Sequence, residues 1–411
     1  MDLSRRRFLQ GTSAGVASTA LAGGLIAAGA HADAAAATTQ ATEASDQLAS
    51  VPFHGVHQAG IFTPQQDAAM FASFDVTANG KAGLALLMKT LTERIRFLTA
   101  GGTPADLGLA APPADSEILG PVVPADGLTV TVSVGSSLFD NRFGISDRKP
   151  IKLKQMVSFP NDSLDPKWCQ GDLSLQICAN HQDTVQHALR DITKNTRGAM
   201  QLRWRMNGFK SQPRPTGTPR NLFGFKDGIA NPTVPDGNKL IWVQPGTKEP
   251  AWATDGSYQA VRVIRQLVEF WDRVSLKEQE LMFGRKRSTG APLDGVHEKD
   301  IPNYAADPTG YTIPLTAHIR VANPRTAKTD KNRILRRGYN YDAGVDLNGN
   351  IDVGLVFCAY QQDLERGFET VQTRLIDEPL VDYIQPYGGG YFFTLPGVRD
   401  QSDWLGRGML A

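Results

Sequence analysis

The sequence predicts an α+β protein made of two similar halves, with antiparallel sheets and helices packed on them. Three observations carry this. First, Leu175-Gln-Ile-Cys178-Ala179-Asn-His-Gln182-Asp183 is echoed by Leu355-Val-Phe-Cys358-Ala359-Tyr-Gln-Gln362-Asp363 at a constant offset of 180 residues. In each copy a run of β formers leads through Gln-Asp into a helical period, over 185–192 and 364–375. Second, alternation of apolar and polar residues marks further strands at 54–62, 128–134, 200–204, 260–264 and 390–395. Third, Gly- and Pro-rich connections, with neither a Gly-x-Gly-x-x-Gly nor a Gly-Lys-Ser/Thr loop, argue against a doubly wound nucleotide-binding sheet.

The elements follow in order from a distinctive N-terminus. Ser4-Arg5-Arg6-Arg7-Phe8-Leu9 precedes a mildly apolar stretch and then Ala30-His31-Ala32. Basic region, apolar region and small-x-small site together predict a signal peptide over 1–32, and the paired arginines point to the twin-arginine translocase. The expected destination is the periplasm or the extracellular space. A membrane anchor is the alternative, but Gly, Ser and Thr leave the stretch poorly apolar for a span of about 20 residues. Residues 33–50, rich in Ala, Thr and Ser, read as a flexible spacer. Two domains are expected after it, over 51–235 and 236–411. Helices are predicted at 81–99 and 268–283 from period, and Asp183 and Asp363 suit helix N-caps. Cys178 and Cys358 then fall on buried strands as small apolar filler.

Composition excludes several classes. The 411 residues carry a net charge of only +1, with acids and bases interspersed, so no electrostatic footprint for nucleic acid is present. Three cysteines are an odd number and too few for a disulfide framework. None lies in a Cys-x-x-Cys pair, which removes support for a zinc ribbon, an iron–sulfur cluster or a covalently attached c-type haem.

Three clusters are able to carry chemistry. His318 sits in Ala317-His318-Ile-Arg320-Val-Ala-Asn323-Pro324-Arg325, an imidazole followed by cations and turn formers; a haem needs an axial imidazole and donors for its propionates. A hydrogen-bonded core histidine beside a solvated loop is the alternative. Gly224-Phe-Lys-Asp227-Gly228-Ile229-Ala230-Asn231-Pro232 places a lone acid between glycines that permit close backbone approach to a flat ligand, or else forms an ordinary Asp-Gly turn. Arg336-Arg337-Gly338-Tyr339 reads singly as a solvated strand edge.

Jointly, Gly224-x-x-Asp227-Gly228, Ala317-His318-Ile-Arg-Val-Ala-Asn323-Pro324-Arg325-Thr326 and Arg336-Arg337-Gly338-Tyr339 resemble the dye-decolourising haem peroxidases, in particular their exported deferrochelatase/peroxidase-like branch. The resemblance extends to Gly388-Gly-Gly-Tyr-Phe-Phe-Thr-Leu-Pro-Gly near the C-terminus. It implies duplicated ferredoxin-like domains with one haem b in the C-terminal half, and homo-oligomers. It also implies His318 as proximal iron ligand, Asp227 as distal acid–base residue and Arg336 as the distal arginine. Gly228, Ile229, Ala230, Asn323, Pro324 and Arg325 would then contact the haem and its propionates. The implied reaction uses hydrogen peroxide to oxidise organic electron donors such as dyes. A haem- or iron-handling part in an iron-uptake system, with partners from that system, is the alternative. Trp204, Tyr339 and Tyr360 are candidate electron relays by residue type, and equally packing residues.

Overall fold

The computed structural model describes residues 49–411, so the expected signal peptide and all but the last two residues of the expected spacer lie outside the described residues. The first half runs β1 (Ala68–Val76), α1 (Gly80–Ala100), β2 (Thr129–Gly135), β3 (Leu173–Ala179), α2 (Gln182–Asn195) and β4 (Met200–Phe209). Its strands lie in the order β2-β3-β1-β4, all antiparallel, which is the ferredoxin-like arrangement. In α1 the buried Leu84, Leu87, Leu91, Ile95 and Leu98 recur every three or four residues and form the stripe that covers the sheet. Gly101 ends the helix at φ +71°, its amide donating to Phe97 O at 2.9 Å. A Cβ at this position would come within 2.6 Å of Val123 O, so both conformation and space require glycine.

The second half repeats the plan: β5 (Ser257–Gln266), α3 (Val268–Trp271), α4 (Leu276–Phe283), α5 (His318–Ala322), β6 (Leu335–Arg336), β7 (Tyr339–Val345), β8 (Ile351–Gln361), a π-helical turn (Glu365–Glu369) running into α6 (Thr370–Arg374), and β9 (Ile384–Thr394). The order β7-β8-β5-β9 is again ferredoxin-like. Pairing of β4 with β7 and of β2 with β9 closes the two sheets into one ring, which leaves few free edges. Inside the ring pack Phe71, Cys178, Trp204, Tyr339, Cys358 and Tyr360, all buried. Both echoed cysteines therefore face the same interior, though Cys358 is more than filler, its Sγ donating to Gln176 Oε1 and accepting from Gln259 Nε2, each at 3.4 Å; the three aromatic residues considered as relays lie in the core rather than at the surface.

Several expected elements differ. Residues 54–62 form no strand; only His54 and His57 make isolated bridges, to Val398 and Pro396. The side chain of Gln58 takes the place of a ladder there, donating to Val132 O and Leu395 O and accepting from Val132 N, each at 2.8 Å. The helix expected over 268–283 is broken between α3 and α4, because Ser275 Oγ accepts from Glu278 N and starts a new helix. Asp183 does not cap α2; Asp126, from a distant loop, accepts from His181 N and from Thr184 Oγ1. Asp363 does cap, accepting from the amides of Glu365 and Arg366. The helix that follows opens with a widened turn, Glu369 N donating to Leu364 O at 2.9 Å.

Candidate active site

The site lies outside the ring, on the face of β8 that the short helices of the second half only partly cover. The register that pairs Leu335 with Tyr360 continues unbroken to Tyr339 with Val356. Alternation along this line sends Leu335, Arg337 and Tyr339 into the ring and Arg336 outward. The two neighbouring arginines are thus separated by the pleat. Arg337 is buried, donating to Thr63 O and Gln66 Oε1, whereas Arg336 lines a cavity.

That cavity and its mouth take in about 1180 Å³ of space, part of it open solvent. Its walls are largely apolar, with Phe283, Ile319, Phe357, Phe368, Val371 and Leu375. The widened turn after β8 supplies Phe368, whose ring lies 5.6 Å from Phe357. Into this slot project His318, Asp227 and Arg336. His318 Nδ1 lies 2.7 Å from Glu378 Oε2, and Glu378 is buried. With Nδ1–H held by the carboxylate, Nε2 keeps its lone pair for a metal. Burial alone would lower the imidazole pKa; Glu378 outweighs it, and the net shift is upward. Arg336 and Asp227 also act on His318 electrostatically, with opposite signs.

Asp227 accepts from Arg336 Nη1 at 2.6 Å, and each side chain is about three-tenths exposed. The loop that presents Asp227 is fixed by Asp227 N donating to Pro219 O at 3.0 Å and by the Lys226–Glu298 ion pair. Gly228 sits at φ +106° with no crowding nearer than 3.6 Å, so the need for glycine is conformational. Asn231, further along this loop, holds the backbone of Arg336 at both its N–H and its C=O.

Beside the slot an adjoining cavity is lined by Ile229, Ala230, Asn323, Arg325, Arg285 and Arg333 among others. Arg325 stands at φ +56°, and its buried Nε has no partner. Burial, with Arg325 and Arg336 nearby, pushes the Arg285 guanidinium down to about 10. Clustered, under-neutralised guanidinium groups at the edge of an apolar slot suit a flat apolar ligand carrying carboxylates. Together with the imidazole nitrogen left free by Glu378, they fit a haem.

Of the residues singled out from sequence, His318, Asp227, Arg336, Ile229, Ala230, Asn323 and Arg325 share the main cavity. Pro324 lines neither of these two cavities, and Gly228 borders a third, polar one that reaches Asp227 and Arg336 beside Lys210 and Arg220. Glu378, Asn231, Arg285 and Arg333 join the site only through the fold. Asn231 lies in the stretch after Asp227-Gly228, while nothing local marks Glu378, which meets His318 across 60 residues.

Residues 58–210 match the family model for the Dyp-type peroxidase N-terminal domain, and 218–399 the model for the C-terminal domain. The chain belongs to the Dyp-type peroxidase family. It is accordingly a haem-dependent peroxidase. Among its relatives, the deferrochelatase of Escherichia coli O6:K15:H31 is 52% identical over 99% of this chain and 97% of its own length. That of Yersinia pestis is 50% identical over 99% and 95%. Among solved structures, the DyP-type peroxidase from Cellulomonas bogoriensis is 36% identical, with a TM-score of 0.79 over 89% of this chain and 99% of that one. Ferric DtpA from Streptomyces lividans is 34% identical, with a TM-score of 0.80 over 88% and 97%.

Proposed function

We propose that this Dyp-type peroxidase uses hydrogen peroxide to oxidise organic electron donors such as dyes, with His318 as the residue that would hold the haem iron, Asp227 as acid–base residue and Arg336 as electrostatic stabiliser. The observation that carries the reading is convergence. An imidazole backed by a buried carboxylate 60 residues away and an Asp–Arg pair whose members are 109 residues apart along the chain open into one apolar cavity.

His318 Nε2 would hold the iron, and Arg325 and Arg285 would take the propionates. Bound haem supplies the redox chemistry, accepting oxidation from peroxide and passing it to donors one electron at a time. Asp227, when ionised, accepts the proton from one peroxide oxygen and returns it to the other, so that water leaves. Arg336 stays charged at all working pH values and stabilises the negative charge that grows on the departing oxygen. Asp227→Asn and Arg336→Leu, tested in haem-replete protein, are each expected to slow the reaction with peroxide by about 10²–10³-fold. Parent rates in both would overturn the assignment.

The identity with deferrochelatases favours a second reading of the same pocket, release of iron from haem as part of iron uptake. Porphyrin fluorescence growing as a chelator captures iron would support it, and haem recovered intact would count against it. We further propose export by the twin-arginine translocase to the periplasm or beyond, and assembly as a homo-oligomer. Cell fractionation with Arg5→Lys and Arg6→Lys together tests the first, and sedimentation of the purified protein the second.

A further inference from the structure

We propose that Asn231 is a positioning residue that sets the reach of Arg336 by clamping its backbone N–H and C=O. The inference rests on the assignment of Arg336 above. Asn231 Nδ2 donates to Arg336 O at 2.7 Å, and Arg336 N donates to Asn231 Oδ1 at 3.1 Å. One side-chain amide thereby pairs with the arginine's backbone as a neighbouring strand would, on the flank of β6 that faces away from β8. Asp227 sits four residues earlier on the same loop and holds the guanidinium itself at 2.6 Å. The loop thus grips Arg336 at two points, backbone and side chain. Asn231 is itself anchored, its own amide donating to Gly228 O at 3.2 Å. The paired donor and acceptor of a carboxamide are what the contact uses; a carboxylate would face the Arg336 carbonyl with no proton to offer, and an apolar side chain would offer nothing. Without the clamp the two-residue strand β6 keeps only its bonds to β8, and the guanidinium loses its fixed origin.

The test uses the full haem-loaded chain with Asn231→Leu, Asn231→Ala, Arg336→Leu and the double variant Asn231→Leu/Arg336→Leu. Three quantities are read: the rate of the spectral change with hydrogen peroxide, the equilibrium affinity for fluoride from the Soret shift, and exchange of the Arg336 amide in haem-free protein. Asn231→Leu is expected to slow the peroxide reaction roughly ten- to hundred-fold, as displacements of about 1 Å do. It should weaken fluoride binding in the same direction and speed exchange of the Arg336 amide. In the Arg336→Leu background it should cause no further loss of rate, since residues acting through one another are not additive. Asn231→Ala should repeat these changes should the leucine variant misfold. Parent rate and fluoride affinity in Asn231→Leu and Asn231→Ala, with Arg336→Leu slow, would overturn the clamp and leave the arginine's role standing. Losses that multiply in the double variant would also overturn it. An Arg336→Leu variant with the parent rate would remove the arginine's role and the clamp together.

Discussion

Replacing Glu378 by Gln keeps the shape and the hydrogen-bond acceptor beside His318 Nδ1 and removes only the charge. Glu378 is 5% exposed and lies 2.7 Å from that nitrogen, so solvent screens the pair weakly. A carboxylate on Nδ1–H makes the imidazole more electron-rich and favours the ferric over the ferrous state of the iron it binds. Partners of metal ligands typically contribute about 10- to 100-fold in metal affinity. Expressed as a preference between the two oxidation states, at about 59 mV per tenfold for one electron, this becomes a rise of roughly 60–120 mV in Glu378→Gln. Potentiometric titration of haem-replete protein, followed at the Soret band, measures it directly. A potential within about 20 mV of the parent, with haem retained, would refute the argument, because 59 mV is the least that a tenfold effect produces.

Other expectations follow from the same structure. Arg325→Leu removes a guanidinium from the carboxylate end of the pocket and should raise the haem dissociation constant about tenfold, read from transfer of haem to an acceptor protein; unchanged transfer would exclude Arg325 as a propionate partner. Asp115 is buried. Burial would raise its carboxyl pKa, but the amides of Glu117 and Ser116 and the side chain of His187 outweigh it and hold the group below its ordinary 3.8. A depressed carboxyl contributes stability that is present above about pH 4 and lost as pH falls through the lower folded value. Asp115→Asn should therefore lower the unfolding free energy by about 2 kcal/mol at pH 7 and by less at pH 3, in urea unfolding at each pH. An equal difference at both would contradict the sign.

Much of the fold was legible because its strands are buried on one or both faces and so carry strong patterns. The 180-residue echo marks β3 and β8, whose cysteines meet inside the ring; the strand patterns at 200–204 and 260–264 fall within β4 and β5, and those at 128–134 and 390–395 overlap β2 and β9 to within one residue at an end. The misread stretch at 54–62 alternates as a strand does, yet the Gln58 side chain supplies the hydrogen bonds that a backbone would have made. The break at Ser275 was visible in principle as a Ser three residues before Glu278, but the apolar period runs across it. The site was less legible. His318, Asp227 and Arg336 each had an ordinary alternative as isolated residues, and only folding brings them to one cavity. Glu378 had no signal at all, since a carboxylate gains meaning from the imidazole it meets.

The central claim is that His318 carries the haem iron. The absorption spectrum of the purified protein and of His318→Ala, each reconstituted with one equivalent of haem, tests it most directly. The parent should show an intense Soret band of an imidazole-ligated haem, and His318→Ala should lose it, with added imidazole restoring the parent spectrum. A Soret band of parent position and intensity in His318→Ala would contradict the account.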